Sequence, residues 1–315
     1  TDLTVKSGQY RYVYAAGYTT GANGDVKLTM TGGTTANLAV LRTGTVTGDV
    51  EMSFSGTARV TGAIYAGAAT TGTLKKSCTV TLGQGASFKN LYAGSNGSGS
   101  IAGAVTVICD GFDGTFTNFK GKGGSSCTGT VGSSRLVLKS GTVQKAPTDF
   151  GTVDIAIPEN KTLTLACDLT ADTMTCAGTL NFSGAASLTA GAVTGAVNCT
   201  VDGEVLENHT YVTAPSGSAI SFPEDSGITE QNGQWRKQNL DGFKGLVLKT
   251  DPANKVVLYP GLYRAGDTDV HNEVTPYITE TVDGVAYYYY PNALGSFYVR
   301  GTRSGYIGVY QNIYM

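Results

Sequence analysis

Asp110 and Asp113, in the run Cys109-Asp110-Gly111-Phe112-Asp113-Gly114, form the best local carboxylate pair in the chain. Hydrolysis of a glycosidic bond needs two carboxylates flanking it, one to protonate the leaving oxygen and one to activate water or attack. Asp-Gly steps are also ordinary turn chemistry, which accounts for both residues without catalysis. The run Asp267-Thr268-Asp269-Val270-His271-Asn272-Glu273 is richest in metal-type ligands, with Asp267, Asp269, His271 and Glu273 as candidates. A polar loop explains that composition equally well. Asp25 and Asp49 lie in phase as calcium-binding acids of a lyase would, but Lys76 and Gly103 stand near the later positions and no acidic ladder persists. The only histidines are His209 and His271, and neither is accompanied by a G-x-S-x-G elbow for a Ser-His-Asp arrangement. Tyr287, Tyr288, Tyr289 and Tyr290 are consecutive. A strand sends two of them to each face, so one pair packs a core and the other offers rings to a ligand such as a sugar. Nothing in these residues calls for a cofactor.

Whatever chemistry exists must be positioned by a repeat. The large residues of Val13-Tyr14-Ala15-Ala16-Gly17, Val40-Leu41-Arg42-Thr43-Gly44, Ile64-Tyr65-Ala66-Gly67, Leu91-Tyr92-Ala93-Gly94 and Asn118-Phe119-Lys120-Gly121 fall at 14, 41, 65, 92 and 119, at steps of 27, 24, 27 and 27. Each unit carries a short alternating strand: Val26 to Met30, Val50 to Phe54, Cys78 to Leu82, Val105 to Ile108 and Leu136 to Leu138. A glycine corner follows each, at Gly32-Gly33, Ser55-Gly56, Gly83-Gln84-Gly85, Asp110-Gly111 and Ser140-Gly141, where a positive φ turns one strand into the next. A unit of 24–27 residues with like residues in phase fits the coil of a solenoid. Stacking would align Tyr14, Leu41, Tyr65, Tyr92 and Phe119 in one column, facing inward or lying at a corner.

From Pro147 the alternating strands arrive closer together and lose the aromatic-x-Gly signal, as expected of narrower coils. Glu204 to Leu258 is more polar and contains Gln231-Asn232-Gly233-Gln234, an Asn-Gly hairpin signal. It reads as the cap that covers the last open edge. Aromatics crowd the segment from Tyr259 to Met315, and Val282-Asp283-Gly284-Val285 supplies another hairpin turn. The expected fold is all-β: a right-handed parallel β-helix over 1–258 (Gly-rich coils 1–146, narrower coils 147–203, cap 204–258), then a small antiparallel β module of three to five strands over 259–315.

Composition excludes several classes. Charged residues are 15%, the formal net charge is −2, and 41% of residues are hydrophobic, in short runs. That is too apolar and too weakly charged for a disordered chain, and 44 glycines with many threonines do not suit helices. Nucleic acid would require clustered Lys and Arg, whereas only the pairs Lys75-Lys76 and Arg236-Lys237 occur. No apolar run reaches the roughly 18 residues of a membrane helix. Cys78, Cys109, Cys127, Cys167, Cys176 and Cys199 lack C-x2-C spacing. They read as small hydrophobes in a narrow core, with a Cys109–Cys127 or Cys167–Cys176 bridge as the alternative. A regular threonine ladder of the kind ice binding needs does not persist. A chain that starts at Thr1 and stops at Met315 in mid-strand is expected to belong to a longer one.

The pattern in Tyr14 to Gly17, Gly24-Asp25-Val26, Gly48-Asp49-Val50, Tyr65 to Gly67 and Tyr92 to Gly94 resembles the Gly-rich parallel β-helix repeats of large exported proteins of gut and rumen bacteria. The aromatic stretch from Phe297 to Tyr314 looks like linker modules that precede hydrolase domains in such proteins. The resemblance implies an extracellular or cell-surface setting rich in polysaccharide, and it carries over no catalytic residue. The expected function is therefore a non-catalytic surface, adhesin-type or accessory solenoid whose partner is a polysaccharide or cell-surface glycan. The alternatives are a polysaccharide lyase or glycoside hydrolase on a β-helix, or a phage tail-spike fragment, which would trimerise. Neither nucleic acid nor membrane insertion of this segment is expected.

Overall fold

The computed structural model describes residues 1–239 and, beyond them, the strands Gly245–Lys249, Gly261–Arg264, Glu273–Val274, Ile278–Val282, Val285–Pro291, Ser296–Gly301 and Val309–Tyr314. Contacts divide the chain into two units, Thr1–Gln238 and Asn239–Met315. The first is a parallel β-solenoid. Its principal face stacks ten parallel strands: Asp2–Val5, Val26–Met30, Val50–Phe54, Cys78–Gly83, the middles of Ser100–Phe112 and Val131–Val143, then Thr152–Ile157, Leu169–Cys176, Leu188–Thr194 and Thr210–Thr213. A second face stacks Gln9–Gly17, Thr34–Leu41, Arg59–Ala68, Ser87–Tyr92 and Asn118–Lys120. A short third face begins with Gly21–Ala22, Thr45–Val46 and Thr73–Leu74.

Alternation decides which side chains go inside. Leu28, Met52, Val80, Val107 and Leu136 are register partners in one column, and all are buried. Each such residue contributes roughly 1.5–3 kcal/mol by leaving water. Phe54, Phe88, Phe112, Phe116, Phe119 and Phe150 continue the interior as a chain of ring contacts with centroids 4.5 to 5.4 Å apart. The expected corners are present: Gly33, Gly56, Gly85, Gly111 and Gly141 all have positive φ, between 62° and 100°. Aspartates staple coil to coil as well, Asp25 Oδ1 accepting from the Asp49 amide at 2.9 Å and Asp49 Oδ1 from the Ser77 amide at 3.1 Å.

The coils narrow where the sequence changes. Val26, Val50, Cys78 and Val105 are partners 24, 28 and 27 residues apart, whereas Asp154 to Thr173 and Thr173 to Ala192 are each 19. Beyond Val143 two strands complete a coil, the second set being Thr162–Leu165, Thr179–Ser183, Val197–Asp202 and Ile220–Ser221. The last rung of the principal face, Thr210–Thr213, is then closed by Gln234–Lys237, which runs antiparallel to it and to Ile228–Gln231. Asn232 and Gly233, with φ of 51° and 76°, make the expected Asn-Gly turn. Trp235 and Tyr211 plug the end of the core, the Trp235 indole donating to the Ile220 carbonyl at 3.2 Å.

The second unit holds two antiparallel sheets. Val285–Pro291 lies between Gly245–Lys249 and Ile278–Val282. Gly261–Arg264 and Ser296–Gly301 are central in the other, flanked by Glu273–Val274 and Val309–Tyr314. Six of these strands lie within 259–315, against the three to five expected there, and Gly245–Lys249 adds a seventh to the unit. The division between the units falls at Gln238/Asn239, earlier than the expected Leu258/Tyr259, and Gly245–Lys249 pairs with Val285–Pro291. No helix among the described residues is long and apolar enough to cross a membrane.

Candidate functional site

The aromatic column differs from its expected form in membership and direction. Tyr65 and Tyr92 are neighbours as expected, with ring centroids 5.3 Å apart and planes within 10°. Leu41 instead pairs with Gly17 and Ala68, and Phe119 with Leu91. Register shifts in these strands change the residue count between coils, so fixed spacing drifts out of phase. The true columns are Val13, Leu38, Ile64, Leu91 and Phe119 inside, and Tyr14, Ala39, Tyr65, Tyr92 and Lys120 outside. The tyrosines therefore face away from the core.

Strand alternation also places Tyr12 outside, with Val13 and Ala15 buried between and beyond the tyrosines. Tyr12 is 48% exposed and Tyr18, in the following turn, 56%. Three of the four most exposed large hydrophobics among the described residues are Tyr10, Tyr12 and Tyr18. A clustered apolar surface of this kind marks an interaction site more often than scattered single residues do. Tyr12 stacks on Tyr14 at 6.1 Å, and Tyr18 meets Tyr14 edge-on at 5.7 Å. The Arg42 guanidinium lies 4.5 Å from the centre of the Tyr18 ring, and that of Arg11 lies 5.5 Å from that of Tyr12. Ala39, the small member of the outer column, is 2% exposed and forms part of the floor between Tyr14 and Tyr65. The result is a groove of about 480 Å³, lined by these groups with Asn37, Thr70 and Asn96.

An asparagine column stiffens the same face: Asn37 Oδ1 accepts from the Ala63 amide at 3.1 Å, and Asn118 Nδ2 donates to Asn90 Oδ1 at 2.8 Å. Burial raises the Tyr14 pKa above that of a free tyrosine, against the opposing charge of Arg42. Burial and then the neighbouring Tyr92 raise that of Tyr65. Both phenols thus stay protonated and can donate hydrogen bonds at neutral pH. The groove lining includes no carboxylate, histidine or cysteine.

Asp110 and Asp113 lie outside this groove. Ser140 Oγ donates to Asp110 Oδ1 at 2.9 Å and Thr142 Oγ1 to Asp113 Oδ1 at 3.5 Å, contacts that join one coil to the next. Tyr287 to Tyr290 lie in the central strand of the three-stranded sheet. Tyr287 and Tyr288 are both half-buried, and the side chains of Tyr289 and Tyr290 lie outside the described residues. Asp267, Asp269 and His271 also lie outside them, as does the side chain of Glu273, whose backbone pairs with Tyr263. Among the described residues no group of three or more metal-type ligands comes together. His209 contacts the Ala186 carbonyl at 3.2 Å and packs edge-on against Tyr211. All six cysteines are free, with Cys78, Cys109 and Cys199 buried. Sequence reading missed the groove, although Tyr10-Arg11-Tyr12-Val13-Tyr14 signalled it: an alternating strand with aromatics where the polar face should be. Family models, curated proteins and solved structures were compared with the chain, and none matches.

Proposed function

We propose that the solenoid is a non-catalytic recognition region of an exported protein and binds a glycan in the groove between Tyr14 and Tyr65. The observation that carries this reading is the outward tyrosine column interrupted at Ala39. Amphipathic rings with protonated hydroxyls suit a sugar, whose C–H faces are apolar and whose edges carry hydroxyls. The rungs of Tyr14 and Tyr65 are two steps apart, about 9.6 Å at ~4.8 Å per step. A saccharide ring midway between them would lie about 4.8 Å from each tyrosine rung, close to van der Waals contact with both. A volume of about 480 Å³ lies within the ~300–1,000 Å³ usual for ligand sites. The lack of carboxylates in the lining favours binding over hydrolysis.

Ala39→Tyr would extend the tyrosine stack and fill the groove. The expected outcome on a glycan array and by calorimetry is that the native chain binds, while Ala39→Tyr and Tyr65→Ala each weaken binding at least tenfold (about 1.4 kcal/mol). A circular dichroism melt should show both variants folded. Release of shortened sugar by the native chain would overturn the non-catalytic reading, and a blank array would overturn glycan recognition.

A further inference from the structure

We infer that the groove selects an acidic polysaccharide, one bearing carboxylates or sulfates, and that Arg11 and Arg42 are its anion contacts. This rests on the glycan reading above and adds the ligand's charge. The chain is formally −2 overall, yet the groove lining holds two guanidinium groups and no acidic residue. Neither Arg11 nor Arg42 takes part in any of the described ion pairs, which join Lys76 to Asp49, Arg135 to Asp154 and Lys237 to Glu207. Each instead lies over a tyrosine ring. A guanidinium held by its face keeps its five N–H donors at the rim, where they fit the paired oxygens of a carboxylate or sulfate. Arg42 is the better anchored, because its backbone amide donates to the Gly17 carbonyl at 3.2 Å and its carbonyl accepts from Thr70 Oγ1 at 2.7 Å.

The basic character continues along the same face. The outer column that starts at Tyr14 ends at Lys120. A second depression of about 440 Å³ there is lined by Lys120 and Lys122, with Asp149 as the only acid. Cations thus stand at both ends of the tyrosine row, four rungs apart, or about 19 Å at ~4.8 Å per rung. A chain-like anion of several residues can follow that line, whereas a single small anion can meet only one end. Charge complementarity over this length favours a polymer.

The experiment uses the full chain and three oligosaccharides of equal length: an oligo-uronate, the same oligomer with its carboxyls reduced to alcohols, and a sulfated oligomer. Affinities are measured by calorimetry at low and high sodium chloride. The expected result is binding of the uronate or the sulfated oligomer at least tenfold tighter than the neutral one, weakened by salt. Arg42→Gln and Arg11→Gln should each reduce it about tenfold, and Tyr65→Ala should weaken all binding. The charged probe that binds identifies the acidic group. Equal binding of the neutral oligomer, unaffected by the arginine variants but lost in Tyr65→Ala, would overturn the acidic-ligand inference and leave the glycan reading standing. Charged binding that survives Tyr65→Ala and both arginine variants would overturn the assignment to this groove. No binding of any oligomer, together with a blank array, would overturn both.

Discussion

Asp154 shows how a single side chain ties the wide coils to the narrow ones. It is buried on the first narrow rung, where Arg135 Nε donates to Oδ2 at 2.6 Å and Thr173 Oγ1 to Oδ1 at 2.5 Å, from the rungs on either side. Burial alone would raise its pKa, but the hydrogen bonds from Thr173 and Arg135 and the guanidinium charge outweigh that and hold it below the ordinary carboxylate value. A depressed folded-state value means stability that is present above the unfolded pKa, near 3.9, and lost as pH falls through the folded value. Asp154→Asn is therefore expected to cost about 1–3 kcal/mol near pH 7, with the difference from the native chain shrinking below about pH 4. Urea titrations across pH check this, and a pH-independent difference would contradict it. Neither this network nor the cross-coil pairing that forms the groove is legible in sequence, and for the same reason, although the alternating aromatics from Tyr10 to Tyr14 mark one wall of the groove. Arg135, Asp154 and Thr173 are 19 residues apart at each step, and Tyr14, Ala39 and Tyr65 meet only through register. Such contacts depend on knowing the number of residues per coil to within one.

At the scale of the element, the corners were the most legible feature because they depend on one residue's backbone. All five corner positions read from the repeat hold a glycine at positive φ, where a Cβ would be strained. The strands were legible by alternation, which survives any change in coil length. Column membership was less so: bulges shift Leu41 off the tyrosine column, a step of 28 residues pairs Phe119 with Leu91, and the inward expectation failed because leucine and tyrosine do not share a phase. The corners also differ in what surrounds them. At Gly141, φ is 100° and an added Cβ would stand 2.2 Å from the Phe112 carbonyl oxygen of the preceding coil. At Gly184, φ is 62° and nothing lies within 4 Å. Gly184→Ala should cost only the left-handed strain, about 1–2 kcal/mol, and Gly141→Ala distinctly more because backbone must also move. Denaturant midpoints of the two variants test the order.

For the whole solenoid, stability accrues from each coil and its neighbours, so the ends govern where unfolding starts. Trp235 is 3% exposed and seals the interior at the cap. Trp235→Ala is expected to cost about 3–5 kcal/mol and to open the last rung Thr210–Thr213 to pairing with other chains. Hydrogen exchange should show protection lost first in that rung, and loss beginning elsewhere would contradict the cap's role. The architecture and the narrowing near Pro147 were legible from repetition and texture. The division at Gln238 was not, since the partner of Gly245–Lys249 lies some forty residues downstream. The narrow coils have a further consequence. Between the groove and the cap they add or remove length in whole steps of ~4.8 Å, and neither end contributes a residue to them. Duplicating or losing a 19-residue unit, the interval from Leu169 to Leu188, would change the length of the solenoid and leave the groove residues unaltered. The solenoid is thus built in equal steps whose number can change without altering the groove between Tyr14 and Tyr65.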